Sequence, residues 1–215
     1  MDRGTLPPLD LDGDQHLAYR KLLDPLFAPK SRVSRIARLE PVIRDLTNEL
    51  VDSFIGSREI EAYSQFCAPL PSRIFIDLLG LPPEDLEFFQ AFKDGVNRPA
   101  GATPDEMGAN AAAAAQRMRD YLNVLIDGRE RNGDVRDDLI GGFMEVEVDG
   151  HRLNRADMLN VVLLLAIAGL DTVVASLSNF LMFLGRNPAC RQQLVDDPSL
   201  IPGAVEELLR FESPV

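Results

Sequence analysis

The residues best suited to chemistry lie in a short polar segment that follows an apolar stretch of the chain. Residues 161–168 are all apolar, and Gly169, Asp171 and Thr172 come directly after them. A glycine inside a helix costs about 1 kcal/mol relative to alanine, and a buried carboxylate is costly unless it is paired or hydrogen-bonded. In a dry site, a hydroxyl and a carboxylate can hold water and relay protons. The segment therefore favours a functional site. The structural alternative is a Thr172 hydroxyl that bonds back to a carbonyl and bends the helix, with Asp171 at the surface.

Helical spacing places the small residues of this segment beside the hydroxyl. Ala168 and Gly169 precede Thr172 by four and three residues, so the three share one helix face. Two small side chains next to a hydroxyl leave a flat patch where a planar ligand can approach the backbone. Asp171 projects about 100° away from its neighbour Thr172, which would connect the patch to a polar network or to water.

Two further pairs of polar residues also have helical spacing. Glu207 and Arg210 lie three residues apart, and His16 and Arg20 lie four apart. An imidazole and a guanidinium on one helix face can hold an anionic group such as a carboxylate. Taken alone, each pair is more often a solvated helix surface, because exposed ion pairs contribute only about 0.2–1 kcal/mol.

A basic segment stands out in an acidic chain. Residues 16–38 contain six Lys or Arg residues and one Asp, whereas the 215-residue chain has a net charge of −12. Such an asymmetry indicates either a docking surface for an acidic partner or a solvated run of charges. The strongly negative total argues against a nucleic-acid partner.

Helical periodicity dominates the elements that must position these residues. The pattern predicts a mainly α fold with a long central helix at 154–185, and that helix is apolar on nearly all sides and should be buried. Alternation around an Asp-Gly pair within residues 145–153 predicts one small β-hairpin. The other predicted helices are 15–27, 31–56, 64–80, 83–96, 104–131, 136–143, 188–196 and 201–211.

Composition and cysteine usage are those of a soluble cytoplasmic protein. Hydrophobic residues make up 46% of the chain and charged residues 26%, and the longest apolar run of the central helix falls short of the ~18 residues that a membrane span needs. Cys67 and Cys190 belong to no CxxC or Cys/His cluster, so neither a disulfide framework nor a zinc site is expected.

Taken in order, the motifs resemble the cytochrome P450 family of haem-thiolate monooxygenases, in its soluble bacterial form. Residues 168–172, Ala-Gly-Leu-Asp-Thr, are similar to the family's oxygen-binding motif on its long central helix. Residues 207–210 match its Glu-x-x-Arg motif. Residues 16–29 are similar to its His-x-x-x-Arg helix and the turn that follows it.

The resemblance implies haem b as the cofactor and O2 as a co-substrate. His16 and Arg20 would bind the haem propionates. Ala168 and Gly169 would line the distal face of the haem.

The same resemblance assigns the remaining motif residues. Thr172 and Asp171 would be catalytic, with Thr172 assisting O2 activation and Asp171 in a proton relay. Glu207 and Arg210 would be structural. A small organic molecule would be hydroxylated, and a ferredoxin-type electron donor would dock near Lys21, Lys30, Arg32 and Arg35.

The resemblance also implies an incomplete domain. The sequence begins where the family's third long helix begins and ends before the loop that carries the axial cysteine. Residues 1–215 are therefore expected to be one incomplete haem-monooxygenase domain that contributes no metal ligand. Two other hypotheses remain open: a non-catalytic truncated remnant, and a helical module that binds a small molecule or a partner.

Overall fold

Helices make up most of the computed structural model, which describes residues 6–28, 34, 36–134, 136–148 and 150–214. Three of the described helices are long: α2 (Leu39–Phe54), α5 (Pro104–Asn132) and α7 (Arg155–Arg186). The others are α1 (Gly13–Phe27), α3 (Pro69–Leu78), α4 (Leu86–Asn97), α6 (Leu139–Glu145), α8 (Pro188–Asp196) and α9 (Ile201–Phe211). Short 3₁₀ turns precede α2, α4 and α9 at Ile36–Arg38, Pro83–Asp85 and Pro198–Leu200.

The predicted hairpin is present. Strands β1 (Glu147–Val148) and β2 (His151–Arg152) pair antiparallel, with Glu147 opposite Arg152. Gly150 has a φ of +77°, which glycine adopts at little cost. Asp149, the other residue of the predicted turn, lies outside the described residues.

Side-chain caps at the helix starts explain why some helix boundaries agree with the prediction and others differ from it. The Asn154 side chain accepts a hydrogen bond from the Asp157 N–H, so α7 begins at Arg155, within one residue of the prediction. The Asp138 side chain accepts from the Gly141 N–H and starts α6 three residues later than predicted. The helix predicted at 64–80 is two elements, a π-helical turn at Tyr63–Cys67 followed by α3.

The main core surrounds the N-terminal part of α7, against which α3, α4, α5 and α6 pack. Val161, Val162 and Leu163 are at most 2% exposed. They pack with apolar side chains of the neighbouring helices, which include Phe75, Phe89, Met118, Leu122 and Phe143. Burial of a side chain of this kind contributes about 1.5–3 kcal/mol, so this core holds the central helix in place.

The C-terminal part of α7 is less buried than predicted, because Leu181 and Met182 are about 40% exposed. Among the described helices, α7 alone is long and apolar enough to cross a membrane. In its most apolar part 44% of the residues are buried inside the protein, and the core helix of a folded domain can be equally long and apolar. The helix is therefore weak evidence for a membrane span.

A buried ion pair joins the turn after α3 to α5 and α6. The Arg129 guanidinium donates to Asp138 Oδ1 at 2.8 Å and to the Gly80 carbonyl at 3.0 Å. The two charged side chains are 4% and 7% exposed. Gly80 has a φ of +65°, and a side chain there would run into the Asp138 carboxylate. The α3–α4 connection is thus fixed by a contact that only glycine permits.

Candidate functional site

A cavity of about 770 Å³ lies between α1 and α7 and brings together three of the predicted site residues. His16 and Arg20 line it from α1, and Ala168 lines it from α7. The rest of the α7 wall is apolar and consists of Val161, Leu164 and Leu165. The cavity therefore has two side chains that can bind an anion facing a small and apolar helix surface. Two carboxylates, Asp12 and Asp24, also line it on the α1 side.

A side-chain hydrogen bond sets the position of α1 against α7. Tyr19, which lies between His16 and Arg20 in the sequence, donates its hydroxyl to Asp157 Oδ1 at 2.7 Å. Burial and this carboxylate raise the pKa of Tyr19 to about 12, so the phenol stays protonated and remains a donor. Nothing local to Tyr19 in the sequence signals this contact.

Arg20 is the more exposed of the two α1 residues. Its guanidinium forms an ion pair with Asp24 at 2.8 Å, and both side chains are about half exposed. A pair exposed to this extent is weak. Arg20 can therefore exchange Asp24 for an anionic ligand in the cavity at small cost.

Thr172 is not part of the cavity wall, although its spacing of four residues puts it on the same face of α7 as Ala168. Its hydroxyl donates to the Ala168 carbonyl at 2.7 Å, which is the back-bonded arrangement named above as the structural alternative. Helix α7 continues through this point without a break. The hydroxyl oxygen retains lone pairs that can accept a hydrogen bond from a ligand or a water.

Gly169 lies apart from Ala168 and faces α3. A Cβ at this position would lie 3.4 Å from the Phe75 ring, and Gly169 is not part of the cavity wall. The structure thus places a second helix, rather than the cavity, beside this glycine. Its predicted contact with the cofactor stays a prediction.

Asp171 faces α4, where two side chains hold its carboxylate. Lys93 Nζ lies 2.8 Å from Oδ1, and Asn97 Nδ2 lies 3.1 Å from Oδ2. Burial would raise the pKa of the Asp171 carboxyl, but the hydrogen bonds from Lys93 and Asn97 and the Lys93 charge hold that pKa below its ordinary value. Asp171 is therefore ionised at neutral pH and part of a hydrogen-bonded network. Its role in a proton relay stays a prediction.

Lys93 and Asn97 hold the Asp171 carboxylate, and neither could be assigned to the candidate site from the sequence. Burial would lower the pKa of Lys93, but its bonds to Asp171 and Asp94 raise it. Lys93 and Asp171 are therefore both charged at neutral pH. Lys93 and Asn97 lie four apart on α4, and this spacing was the one available signal. That spacing is common on exposed helix faces and does not by itself mark a site.

Glu207 and Arg210 form the bidentate pair that their spacing allows. The two nitrogen–oxygen distances are 2.6 and 2.8 Å, and the side chains are 62% and 70% exposed. The hydrogen bonds that Arg210 donates lower the pKa of Glu207. The pair lies on α9 and is not part of the cavity wall.

The structure describes one of the four residues predicted to dock an electron donor. Lys21 is exposed on α1, and Lys30, Arg32 and Arg35 lie outside the described residues. Arg38, at the end of the same basic segment, forms an ion pair with Asp137. At least one cation of the segment is thus engaged within the protein.

Neither cysteine lines the cavity. Cys67 is buried and Cys190 is exposed, and both are free. Burial raises the pKa of the Cys67 thiol, which keeps it protonated at neutral pH. Within the described part of the chain, no group of three or more His, Cys, Asp or Glu side chains could hold a metal ion.

Comparison with known proteins gives a consistent picture. Cytochrome P450 107B1 of Saccharopolyspora erythraea is 33% identical over 96% of this chain and 48% of its own length. Erythromycin C-12 hydroxylase of the same organism is 34% identical over 95% of this chain and 50% of its own. The structure of the P450 PksS from the Bacillus subtilis 168 bacillaene polyketide synthase superposes with a TM-score of 0.85 and 28% identity, over 96% of this chain and 51% of that one. No family model matches.

These comparisons confirm the predicted fold class, a mainly α partial cytochrome P450 fold with a small hairpin. The chain spans about half the length of the curated relatives that it matches.

Proposed function

Since the chain belongs to the cytochrome P450 family over the part of the fold that it spans, we propose that it forms the distal side of a haem monooxygenase site. One observation carries this proposal. The cavity places His16 and Arg20 opposite Ala168, the first residue of the motif that resembles the family's oxygen-binding segment. Residues 1–215 then form one portion of a single haem-monooxygenase domain.

Most residues that line the cavity fit a haem, and the two carboxylates of the cavity wall, Asp12 and Asp24, do not. Haem is a flat apolar ring with two carboxylate side chains, and the cavity offers an apolar wall on α7 and two residues that can bind carboxylates on α1. Its volume of about 770 Å³ lies within the usual range for cofactor and ligand pockets. His16 and Arg20 would hold the carboxylates, and the Ala168 methyl group leaves room for the ring to approach the α7 backbone.

When bound, haem supplies the O2 activation, and the protein provides positioning and proton delivery. Thr172 would hold a proton or a water at its hydroxyl, one helical turn beyond Ala168. Asp171 would connect that hydroxyl to the polar side of α4 through Lys93 and Asn97. Glu207 and Arg210 would act structurally, outside the reacting centre.

The axial thiolate ligand of the haem would come from outside residues 1–215. Both cysteines of the chain are described, one buried and one exposed, and neither borders the cavity. In the reduced complex with carbon monoxide, we therefore expect the isolated chain to lack the red-shifted Soret band of a thiolate-ligated haem. A thiolate-type band from this chain would contradict that part of the proposal.

The substrate would be a small organic molecule that is hydroxylated, with electrons from a ferredoxin-type donor in the cytoplasm. The donor would dock near the exposed Lys21 and the adjacent Lys30, Arg32 and Arg35. The relatives do not indicate one substrate, because their names include an erythromycin C-12 hydroxylase and a vitamin D(3) 25-hydroxylase.

Haem titration of the chain tests the proposal. We expect the purified chain to bind haem with a saturable change in the Soret absorbance. The double variant His16→Ala/Arg20→Ala should bind at least about tenfold more weakly, because hydrogen bonds to charged groups contribute about 1.5–3 kcal/mol each. Lys21→Ala is the matched control, since this neighbouring cation on α1 does not line the cavity. Equal haem affinity in the three proteins would overturn the proposed site.

A further inference from the structure

The first half of α1, which carries His16 and Arg20, has few contacts that hold it in place. The buried residues of this helix all lie in its second half and are Leu22, Leu23 and Leu26. Asp12, at the N-cap, makes no side-chain hydrogen bond to the first turn. The two residues proposed to bind carboxylates therefore lie on turns that neither a fully buried side chain nor a helix cap holds in place.

Tyr19 is the residue that anchors this half of the helix. Its side chain is partly buried and packs against the main core, and its hydroxyl donates to Asp157 of α7 at 2.7 Å. Among the described residues, this is the one side-chain hydrogen bond or ion pair that connects residues 13–21 to another element, since Arg20 pairs within α1. The position of these turns thus depends on the Tyr19 hydroxyl.

The Tyr19–Asp157 bond joins the two helices that form the walls of the cavity. Asp157 lies one helical turn before Val161, so it lies on the face of α7 that forms the cavity wall. Tyr19 follows His16 by three residues and precedes Leu23 by four, and both of these neighbours line the cavity. Neither Tyr19 nor Asp157 lines it. Their bond therefore acts on the separation of the two walls and not on a ligand directly.

We propose that Tyr19 is a positioning residue that, through its bond to Asp157, holds His16 and Arg20 in place for the carboxylates of the cofactor. The assignment rests on the proposed function, because it takes His16 and Arg20 as the residues that bind those carboxylates. Without the bond, the first half of α1 would have to be ordered when the ligand binds, and that loss of entropy lowers the affinity. The contacts of the apolar ring with α7 would be unaffected.

Fluorescence titration of the full chain with two metal-free porphyrins tests this role. Protoporphyrin IX has the carboxylates of haem, and its dimethyl ester has the same ring without those charges. We expect the wild-type chain to bind the acid more tightly than the ester. Tyr19→Phe should weaken binding of the acid by about threefold or more and leave the affinity for the ester unchanged. A general loosening of the protein would instead weaken the binding of both porphyrins.

Tyr121→Phe is the matched control. Tyr121 also donates its hydroxyl to a carboxylate, that of Asp85 at 2.5 Å, and it does not line the cavity. This variant loses a bond of the same kind at another place, so it should keep the wild-type ratio of acid to ester affinity. Asp157→Asn retains an oxygen that can accept from Tyr19 and should also keep that ratio.

Asp157→Ala removes the acceptor and should reproduce the effect of Tyr19→Phe, so it serves as the test if Tyr19→Phe fails to fold. In the His16→Ala/Arg20→Ala background, Tyr19→Phe should have no further effect on binding of the acid. A full loss in that background would overturn the proposal, because Tyr19 would then act independently of the two residues.

The outcome for the two porphyrins separates this inference from the proposed function. In a wild-type chain that prefers the acid, equal losses of acid and ester affinity in Tyr19→Phe and Asp157→Ala, or no loss in either, would overturn the inference alone. A wild-type chain that binds neither porphyrin, or binds both equally, would overturn the proposed function and this inference with it.

Discussion

Lys93 of α4 and Asp171 of α7 form an ion pair with 2.8 Å between Nζ and Oδ1, although 78 residues separate them in the sequence. The two side chains are 12% and 29% exposed. Asp171 belongs to the segment that resembles an oxygen-binding motif, so the pair links that segment to a helix outside the motif. The position of α4 therefore determines which groups the Asp171 carboxylate can contact.

Replacement of Lys93 by Met should lower the free energy of unfolding by about 1–2 kcal/mol at pH 7, because a partly buried carboxylate loses its cation. The folded-state pKa of Asp171 is depressed, so its contribution is present above its ordinary pKa and is lost as pH falls through the lower folded-state value. The raised pKa of Lys93 keeps the pair intact up to the alkaline range. Urea denaturation should therefore show a difference between wild type and variant that is full at pH 7 and shrinks below about pH 4.

Asp94→Asn provides the control for this experiment. Asp94 also contacts Lys93, at 3.0 Å, but its side chain is 56% exposed. The substitution should change the free energy of unfolding by less than about 0.5 kcal/mol. A loss in Lys93→Met that is the same at pH 7 and pH 3 would mean that packing of the lysine stem, rather than its charge, stabilises the contact.

The site residues that could be predicted from the sequence are those related by local spacing. His16 and Arg20 face one cavity because four residues are about one helical turn, and the bidentate Glu207–Arg210 pair follows from a spacing of three. Lys93 could not be predicted as the partner of Asp171, because that contact depends on how α4 crosses α7. Whether Gly169 faced a ligand or a helix was likewise undetermined, since periodicity defines a face and not the element that packs on it.

In the fold, too, features set by local sequence could be predicted, and features set by packing between elements could not. Helix α7 could be predicted within one residue at each end because Asn154 caps its start and Pro188 follows its end. The exposed surface near Leu181 could not be predicted from composition. An apolar residue in a helix indicates burial only where another element packs against it.

Gly80→Ala should strongly destabilise the protein, by about 3 kcal/mol or more. An alanine here would have to adopt the left-handed backbone conformation of Gly80. Its Cβ would also collide with the Asp138 carboxylate, which is paired with the buried Arg129. Gly133→Ala separates the two effects, because Gly133 has a φ of +60° with no atom within 4 Å of the added Cβ. It should cost about 1 kcal/mol. If chemical denaturation gave the same loss in the free energy of unfolding for Gly80→Ala and Gly133→Ala, the Arg129–Asp138 pair would be able to shift and make room for the added methyl group.

Gly169→Ala should raise the free energy of unfolding by about 0.5–1 kcal/mol, because alanine is the better helix former and its Cβ would meet Phe75 at 3.4 Å, an ordinary contact. Gly169→Leu should destabilise the protein, since a longer side chain has to displace the Phe75 ring. Gly185 lies on the same helix with open space around it, so Gly185→Leu should be tolerated. Haem titration of Gly169→Ala also tests the predicted cofactor contact, and unchanged affinity would count against it.

Thr172→Val should separate the two roles considered for this hydroxyl. Valine keeps the shape and removes the bond to the Ala168 carbonyl, so stability should change by less than about 1 kcal/mol. In a haem monooxygenase that includes this chain, as proposed above, the product formed per electron pair consumed should fall about tenfold or more if Thr172 delivers protons. Thr172→Ser should largely restore that ratio.

Ser176→Ala is the control, because Ser176 makes the same kind of bond, to the Thr172 carbonyl at 3.0 Å, and should leave the ratio unchanged. An unchanged ratio in Thr172→Val would leave Thr172 with the structural role alone.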